Sequence, residues 1–354
     1  MVIPTLSAGG SERFVSILFS YLDRTRFDVK LIVLNSAQLF YSLPHTEDIF
    51  FLKKKDVRSS LLAILKIIRK EKPQVILSTI TSLNILLSFI RVFYPRFKLY
   101  IRESTILSIH FRGIRYGLFY ETMILLFYRF SDRIICQSQD MLQDLHNRYY
   151  IKKGKMIVIN NPVNPDQFTL KEKSKNSRPM LITVARLDGA KGYDRILRSL
   201  ALVKVDFEYV IVGDFTCNEY NKLLLLEFDH LVSELGLHQK IRRVGVSKTP
   251  QDFLRQANVY LHGSYYEGFP NALLEAGSVG LPVVSFKSPG IGEILQDELN
   301  GFVVENNNLQ AFAEAVTRAT VHPFEPSHIR DQIISKFGVS TIIDKYQDLL
   351  ESNS

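Results

Sequence analysis

Glu267 and Glu275 are separated by seven residues, and Gly268, Phe269, Pro270 and Asn271 follow the first of them. Glycine has no Cβ, so the backbone there can come close to a ligand. Proline in a first helical turn pre-sets the helix and leaves N–H groups free to face negative charge. The segment therefore reads as a loop carrying Glu267 and a helix from Pro270 to Val279, with Glu275 one to two turns in. Arg186 and Lys191 form a second pair, just after the apolar run Met180–Val184. Cations fixed at a strand end stabilise charge that develops on a departing group, with no reorganisation during the reaction. Gly9 and Gly10 join a strand candidate to a helix candidate, a turn whose N–H groups and helix N-terminus can face an anion. Arg102 and Glu103 follow another strand candidate and are expected at the same ligand site. Each feature alone also has a plain structural reading: a solvated carboxylate, a surface-loop cation, a turn glycine or a surface ion pair.

The elements that must position these residues are short apolar β-branched runs alternating with longer amphipathic segments, the signature of parallel α/β units. In the first half, strands are predicted at Val2–Pro4, Val29–Leu34, Val75–Leu77, Leu99–Arg102, Arg133–Gln137 and Met156–Ile159. Helices are predicted near Ser11–Leu22, Ser59–Lys70, Ser82–Val92, Ile114–Phe130 and Gln139–Asn147. The alternation breaks at Asn160-Asn-Pro-Val-Asn-Pro165 and the polar run Lys171–Pro179, then restarts. Strands follow at Met180–Val184, Tyr209–Val212, Ile241–Val244, Val259–Leu261, Val283–Phe286 and Phe302–Val304. Helices are predicted at Tyr193–Val203, Glu219–Leu235, Pro250–Gln256, Pro270–Val279, Leu309–Ala319, Pro326–Phe337 and Ser340–Glu351. Val2–Pro4 is half of a usual opening strand, so residues ahead of Met1 are expected.

At 354 residues, 46% hydrophobic and 23% charged, the chain is long enough for two ordinary cores. Cys136 and Cys217 lie far apart and in no metal-ligand spacing, which excludes a disulfide framework and fits a reduced, cytoplasmic protein. The uncharged run Pro73–Ile90 contains Gln74, Ser78, Thr79, Thr81, Ser82 and Asn84 and reads as a strand followed by a helix rather than a membrane span. No signal peptide is evident at the start. The net charge of +8 is uneven: residues 1–160 carry +12 and residues 161–354 carry −4. The basic half calls for an anionic partner.

The run Glu267-Gly-Phe-Pro-Asn-Ala-Leu-Leu-Glu275, with Gly280-Leu-Pro282 after it, resembles the Glu-x7-Glu motif of glycosyltransferase family 4, retaining enzymes of the GT-B fold. The resemblance implies an α/β architecture of two Rossmann-like, doubly wound domains facing one another across a cleft. Residues 1–160 would bind the acceptor, 161–179 would link, and 180–339 would bind a nucleotide sugar. The helix near 340–354 would pack back on the first domain. Glu267 would meet the donor sugar and Glu275 the ribose hydroxyls, with Gly268, Phe269, Pro270, Asn271, Ala272 and Leu273 shaping the donor loop between them. Arg186 and Lys191-Gly192 resemble the family's Arg…Lys-Gly pair, which contacts the donor diphosphate. Val212-Gly-Asp214 is similar to a strand-end turn beside the nucleotide and departs from it at Phe215; Gly213 would give backbone room there. Ser288–Glu293 and Asn300-Gly301 match further turns around the donor loop, Gly9-Gly10 a first-domain loop, and Asn161-Pro-Val-Asn164 a hinge. Many relatives carry a histidine near Arg102, where this chain has none before His110. That departure shifts the expected contact with acceptor or donor sugar to Arg102 and Glu103.

The implied reaction moves a hexosyl or N-acetylhexosaminyl group, with retention, from a nucleoside diphosphate donor, expected to be uridine-linked. No Asp-x-Asp pair stands at a strand end, so Arg186, Lys191 and the helix at Pro270 would stabilise the leaving group without a metal, and no cofactor is expected. Between Phe89 and Phe130 aromatic and basic residues interleave, among them Arg91, Phe93, Arg96, Arg112, Arg115 and Phe119. Such a surface fits the inner face of the cell membrane and a lipid-linked oligosaccharide acceptor, as in O-antigen or capsule assembly. A buried aromatic core is the other reading of that stretch, and no nucleic-acid-binding motif accompanies it. A GT-B epimerase and a non-catalytic GT-B subunit stand as alternatives for the whole chain.

Overall fold

Runs of Val, Ile and Leu become strands, the central ones buried on both faces, and in the computed structural model all of them pair in parallel. The structure describes residues 1–7, 9–35, 40–171, 178–213 and 219–352. Ala8, most of the polar run before Pro179, and Asp214, Phe215 and Cys217 lie outside the described residues. Two compact units are present, Met1–Pro162 with Val339–Ser354, and Val163–Gly338.

Unit 1 holds strands β1 (Val2–Ile3), β2 (Leu31–Val33), β3 (Ile49–Phe51), β4 (Val75–Thr79), β5 (Lys98–Arg102), β6 (Arg133–Cys136) and β7 (Met156–Val158). Their order is β3-β2-β1-β4-β5-β6-β7, so the connection reverses direction between β1 and β4. The helices are α1 (Gly10–Tyr21), α2 (Leu61–Glu71), α3 (Thr81–Phe93), α4 (Leu107–His110), α5 (Gly117–Phe127) and α6 (Gln139–Tyr149). Ile49–Phe51 and Leu107–His110 are absent from the sequence-based expectation. Both are too short to show a period, and β3 owes its state to pairing with β2 through Leu31↔Ile49 and Val33↔Phe51.

Unit 2 holds β8 (Met180–Val184), β9 (Glu208–Val212), β10 (Ile241–Gly245), β11 (Val259–His262), β12 (Val283–Phe286) and β13 (Gly301–Val304), in the order β10-β9-β8-β11-β12-β13. Its helices are α7 (Tyr193–Leu200), α8 (Glu219–Glu234), α9 (Pro250–Gln256), α10 (Asn271–Ser278), α11 (Leu309–Val321) and α12 (Pro326–Phe337). This is the doubly wound nucleotide-binding order, with the switch point between β8 and β11; ligands of such sheets bind outside the carboxyl ends of the strands at that point. Two apolar layers cover the sheet. Leu181, Ile196, Phe286 and Phe312 lie in one, and Ile182, Tyr260, Leu273 and Phe337 in the other.

The last helix, α13 (Val339–Glu351), belongs to unit 1. Tyr346 packs on Phe14 of α1 with ring centroids 5.3 Å apart, Gln347 accepts the Asp23 N–H at 3.1 Å, and Glu351 pairs with Arg26.

Arg102 and Glu103, expected at the ligand site, are turned into the interior of unit 1 and have no exposed surface. The Glu103 carboxylate accepts bonds from Thr81 Oγ1 (2.9 Å), Asn84 Nδ2 (2.7 Å) and the Tyr128 hydroxyl. Burial raises its pKa, and these donors offset part of the rise. Arg102 donates to Asn161 Oδ1, and its guanidinium lies 3.7 Å from the centroid of the Phe14 ring. Asn161 also donates to Gln137, which in turn donates to the Glu103 carbonyl (2.8 Å). A buried network of this kind ties strand ends together and depends on every partner being present. Tyr128→Phe, which removes one donor to a buried carboxylate, is expected to lower unfolding stability by about 1–3 kcal/mol. Urea denaturation reads this directly, and a change within experimental error would contradict the network's structural role.

Candidate active site

The loops leaving β8 and β11 meet at the switch point. After Val184 the chain runs through Ala185, whose N–H bonds to the Val212 carbonyl at 3.0 Å. Asp188 then caps a single turn by accepting the Ala190 N–H at 2.9 Å, and this turn ends at Lys191. Gly192 follows with φ +62, and a Cβ on it would fall 1.9 Å from the Gly263 carbonyl oxygen. Only glycine permits both the left-handed backbone and that contact. The loop after β11 is held against this turn by the Tyr265 N–H, which donates to the Ala190 carbonyl at 2.9 Å.

The contact brings Lys191 Nζ to 2.6 Å from Glu267 Oε1, and Ser264 Oγ donates to the same oxygen at 2.7 Å. The Glu267 side chain keeps 17% of its surface and that of Lys191 25%, so the pair can still meet a solute. Burial acts to raise the Glu267 pKa, but the charge of Lys191 and the bonds from Lys191 and Ser264 outweigh it, and the carboxyl sits below its usual range. Arg186 is exposed and makes no hydrogen bond or ion pair with the described residues. The site thus offers an ionised carboxylate, a lysine and an uncommitted arginine at the end of a parallel sheet, groups suited to an anionic leaving group and the centre it departs from.

Comparison with known proteins decides the family. Residues 8–167 match Glycosyltransferase Family 4 and residues 166–333 match Glycosyl transferases group 1. The chain belongs to these glycosyltransferase families. Among its relatives is the N-acetylgalactosamine-N,N'-diacetylbacillosaminyl-diphospho-undecaprenol 4-alpha-N-acetylgalactosaminyltransferase of Campylobacter jejuni, 26% identical over 86% of this chain and 85% of that protein. Another is the UDP-Gal:alpha-D-GlcNAc-diphosphoundecaprenol alpha-1,3-galactosyltransferase of Escherichia coli, 24% identical over 98% of this chain and 94% of that one. Among solved structures, HepE of Anabaena in complex with UDP superposes with a TM-score of 0.80 at 18% identity, covering 99% of this chain and 98% of that one. A glycosyltransferase of Rickettsia africae gives 0.81 at 18% identity, covering 99% and 97%. The fold is therefore GT-B, and this chain is a glycosyltransferase.

Within this glycosyltransferase the remaining candidates fall into distinct places. Glu275 is buried on α10, which begins at Asn271 with Pro270 as its cap residue, one position later than the sequence pattern suggests. Asn271 and Ala272 are half-buried, and Gly268 and Pro270 are buried. Phe269 and Leu273 are core residues: both lie in the layer with Phe337, and the Phe269 and Phe337 rings stand 5.4 Å apart. Their contribution is to seat the loop that carries Glu267. Gly213 is half-buried, and a Cβ there would lie 1.9 Å from the Ala185 carbonyl oxygen. Gly290, at φ +86, lies under the Glu267 and Gly268 carbonyls, each 2.9 Å from where its Cβ would be. In unit 1, Gly9 caps α1 and accepts a bond from the Tyr41 hydroxyl at 3.2 Å, while Gly10 is exposed at the first helical position.

Two residues next to Glu267 escape sequence reasoning altogether. Arg195, on α7, is buried. His262, the last residue of β11, is 5% exposed, and its Nε2 has no hydrogen-bond partner. Burial, with the positive charges of Lys191 and Arg195 adding to it, drives its pKa down to about 4, although Glu267 pulls the other way. His262 is therefore neutral at neutral pH. A folded-state pKa below the unfolded value of about 6.5 means that the unfolded chain binds the extra proton between those limits, so stability falls as pH drops from 6.5 towards 4. His262→Gln is expected to remove roughly 2–4 kcal/mol of that dependence. Urea unfolding at stepped pH across this window measures it; an unchanged slope would contradict the burial of a neutral imidazole.

Proposed function

We propose that this glycosyltransferase transfers a sugar, with retention at the anomeric carbon, from a uridine diphosphate donor to a lipid-linked saccharide in surface-polysaccharide assembly. The observation that carries the proposal is the Lys191–Glu267–Ser264 contact at the β8/β11 switch point. In this reading the donor diphosphate lies against Arg186, Lys191 and the N–H groups at the start of α10. Lys191, bonded to Glu267 here, turns part of its charge to the leaving group, and Glu267 faces the sugar. Glu275 takes the ribose hydroxyls. Leaving-group charge is carried by protein cations and helix N–H groups, without a metal. The relatives' acceptors, named as undecaprenol-linked diphosphates, support a lipid-linked acceptor here.

A membrane-facing surface on unit 1 fits that acceptor. Phe93 is 73% exposed and Leu118 79%, and Phe119, Leu125, Leu126 and Phe130 are exposed as well. The Phe89 ring bridges α3 and α5, 5.0 Å from Phe93 and 5.6 Å from Phe127. Arg112 and Arg115, just before α5, and Arg129, just after it, are exposed and carry positive charge. Apolar side chains flanked by arginines suit the headgroup region of an anionic bilayer. No helix among the described residues is long and apolar enough to cross a membrane.

Purified protein incubated with a panel of nucleotide sugars and undecaprenyl-diphosphate saccharides is expected to form a glycosylated lipid and release UDP. Absence of both transfer and donor hydrolysis across the panel would end the catalytic reading. Glu267→Gln is expected to lower kcat by about a hundredfold or more, with UDP still raising the unfolding midpoint. Flotation with vesicles is expected to recover the protein when anionic lipid is included, and Leu118→Glu with Leu125→Glu to abolish recovery. Equal recovery on neutral and anionic vesicles would contradict the membrane surface.

A further inference from the structure

Arg195 is 2% exposed, yet among the described residues no carboxylate forms an ion pair with it. Its guanidinium instead donates to backbone carbonyls: Nε to Gly263 at 2.6 Å and Nη2 to Ser264 at 2.5 Å. Nη1 reaches Asn306 Oδ1 at 2.5 Å and Asn307 Oδ1 at 3.3 Å, on the loop after β13. The Tyr265 ring centroid is 4.1 Å from the guanidinium carbon and that of Phe286 is 4.4 Å away. The Tyr265 hydroxyl donates to Asp194, the neighbour of Arg195, at 2.7 Å. Burying an arginine costs several kcal/mol unless hydrogen bonds compensate, and here two of the four hydrogen bonds, with the Tyr265 ring, come from the segment that carries Glu267.

We infer that Arg195 is a positioning residue for Glu267: it fixes the Gly263–Ser264 backbone, and through the Ser264 hydroxyl and the Gly192–Gly263 contact it fixes where Glu267 and Lys191 meet. The planar fork of an arginine grips two adjacent carbonyls and stacks on two aromatic faces at once, which a lysine cannot reproduce. Loosening it leaves every group of the site present but misplaced, and errors of about 1 Å in a reacting geometry cost on the order of a hundredfold in rate.

This inference rests on the catalytic reading of Glu267, and the experiment separates the two. Wild type, Glu267→Gln, Arg195→Gln, Arg195→Lys and Asn306→Ala are compared on the nucleotide sugar that wild type hydrolyses fastest among UDP-, GDP-, ADP- and TDP-sugars. Arg195→Gln is expected to lower kcat about tenfold or more with donor KM changed less than about threefold, and Arg195→Lys to recover only part of the loss. Asn306→Ala removes a partner on an exposed loop, so the fold survives even if Arg195→Gln does not, and it is expected to lower kcat by a few fold. A readout free of substrate accompanies these: carboxyl 13C NMR titration, assigned with Glu267→Gln, in which the Glu267 pKa moves up towards its ordinary value when Arg195 or Asn306 is replaced. Full kcat in Glu267→Gln would overturn the catalytic reading of the carboxylate. Lowered kcat there, with wild-type kcat and an unmoved Glu267 titration in folded Arg195 and Asn306 variants, would overturn the positioning role alone.

Discussion

The second unit is organised around a carboxylate that stays ionised while mostly withdrawn from water. Glu267 keeps its charge because Lys191 and Ser264 converge on one of its oxygens. Desolvation alone would push the proton back on. That balance demands close approach of two loops, and the close approach explains otherwise unrelated local choices. Gly192 must lack a Cβ, Asp188 must cap the turn that delivers Lys191, and Tyr265 must bond to Ala190. The β8/β11 switch point supplies the place, because only there do neighbouring strands send their next helices to opposite faces and leave an open crevice.

The first unit solves a different problem with similar materials. Its strand-end charges, Arg102 and Glu103, are consumed internally by Thr81, Asn84, Tyr128 and Asn161 and by the ring of Phe14. They tie β5 to α1, to α3 and to the segment after β7, while Tyr346 brings in the final helix. The outward face is instead apolar and basic, on α3 and α5. An aromatic and leucine-rich surface of that kind is costly in water and is retained where something covers it.

Much of the fold was legible because its signals are local. β8, β12, α9 and α12 have the same bounds in the sequence pattern and in the structure, each marked by an apolar run or by proline at a helix start. β3 escaped because three residues carry no period and the strand exists only through its neighbour. The same distinction governs the site. Glu267, Pro270 and Glu275 lie within one loop and one short helix, so spacing alone places them on a common element. Arg195 reads as a solvated position on an amphipathic helix, since its partners Gly263, Ser264 and Asn306 are 68, 69 and 111 residues away. Arg102 and Glu103 misled for the same reason: a strand end predicts the direction of the crevice, but Asn84, Tyr128 and Asn161 decide where the side chains turn.

Lys191 and Glu267 are proposed to mark the nucleotide-sugar site of this glycosyltransferase. A crystal structure of the protein with UDP bound tests it most directly. The diphosphate is expected at the carboxyl ends of β8 and β11, within hydrogen-bonding distance of Lys191 and Arg186, with the ribose hydroxyls on Glu275. UDP seated elsewhere, with the Lys191–Glu267 pair untouched and Arg186 still facing solvent, would contradict it.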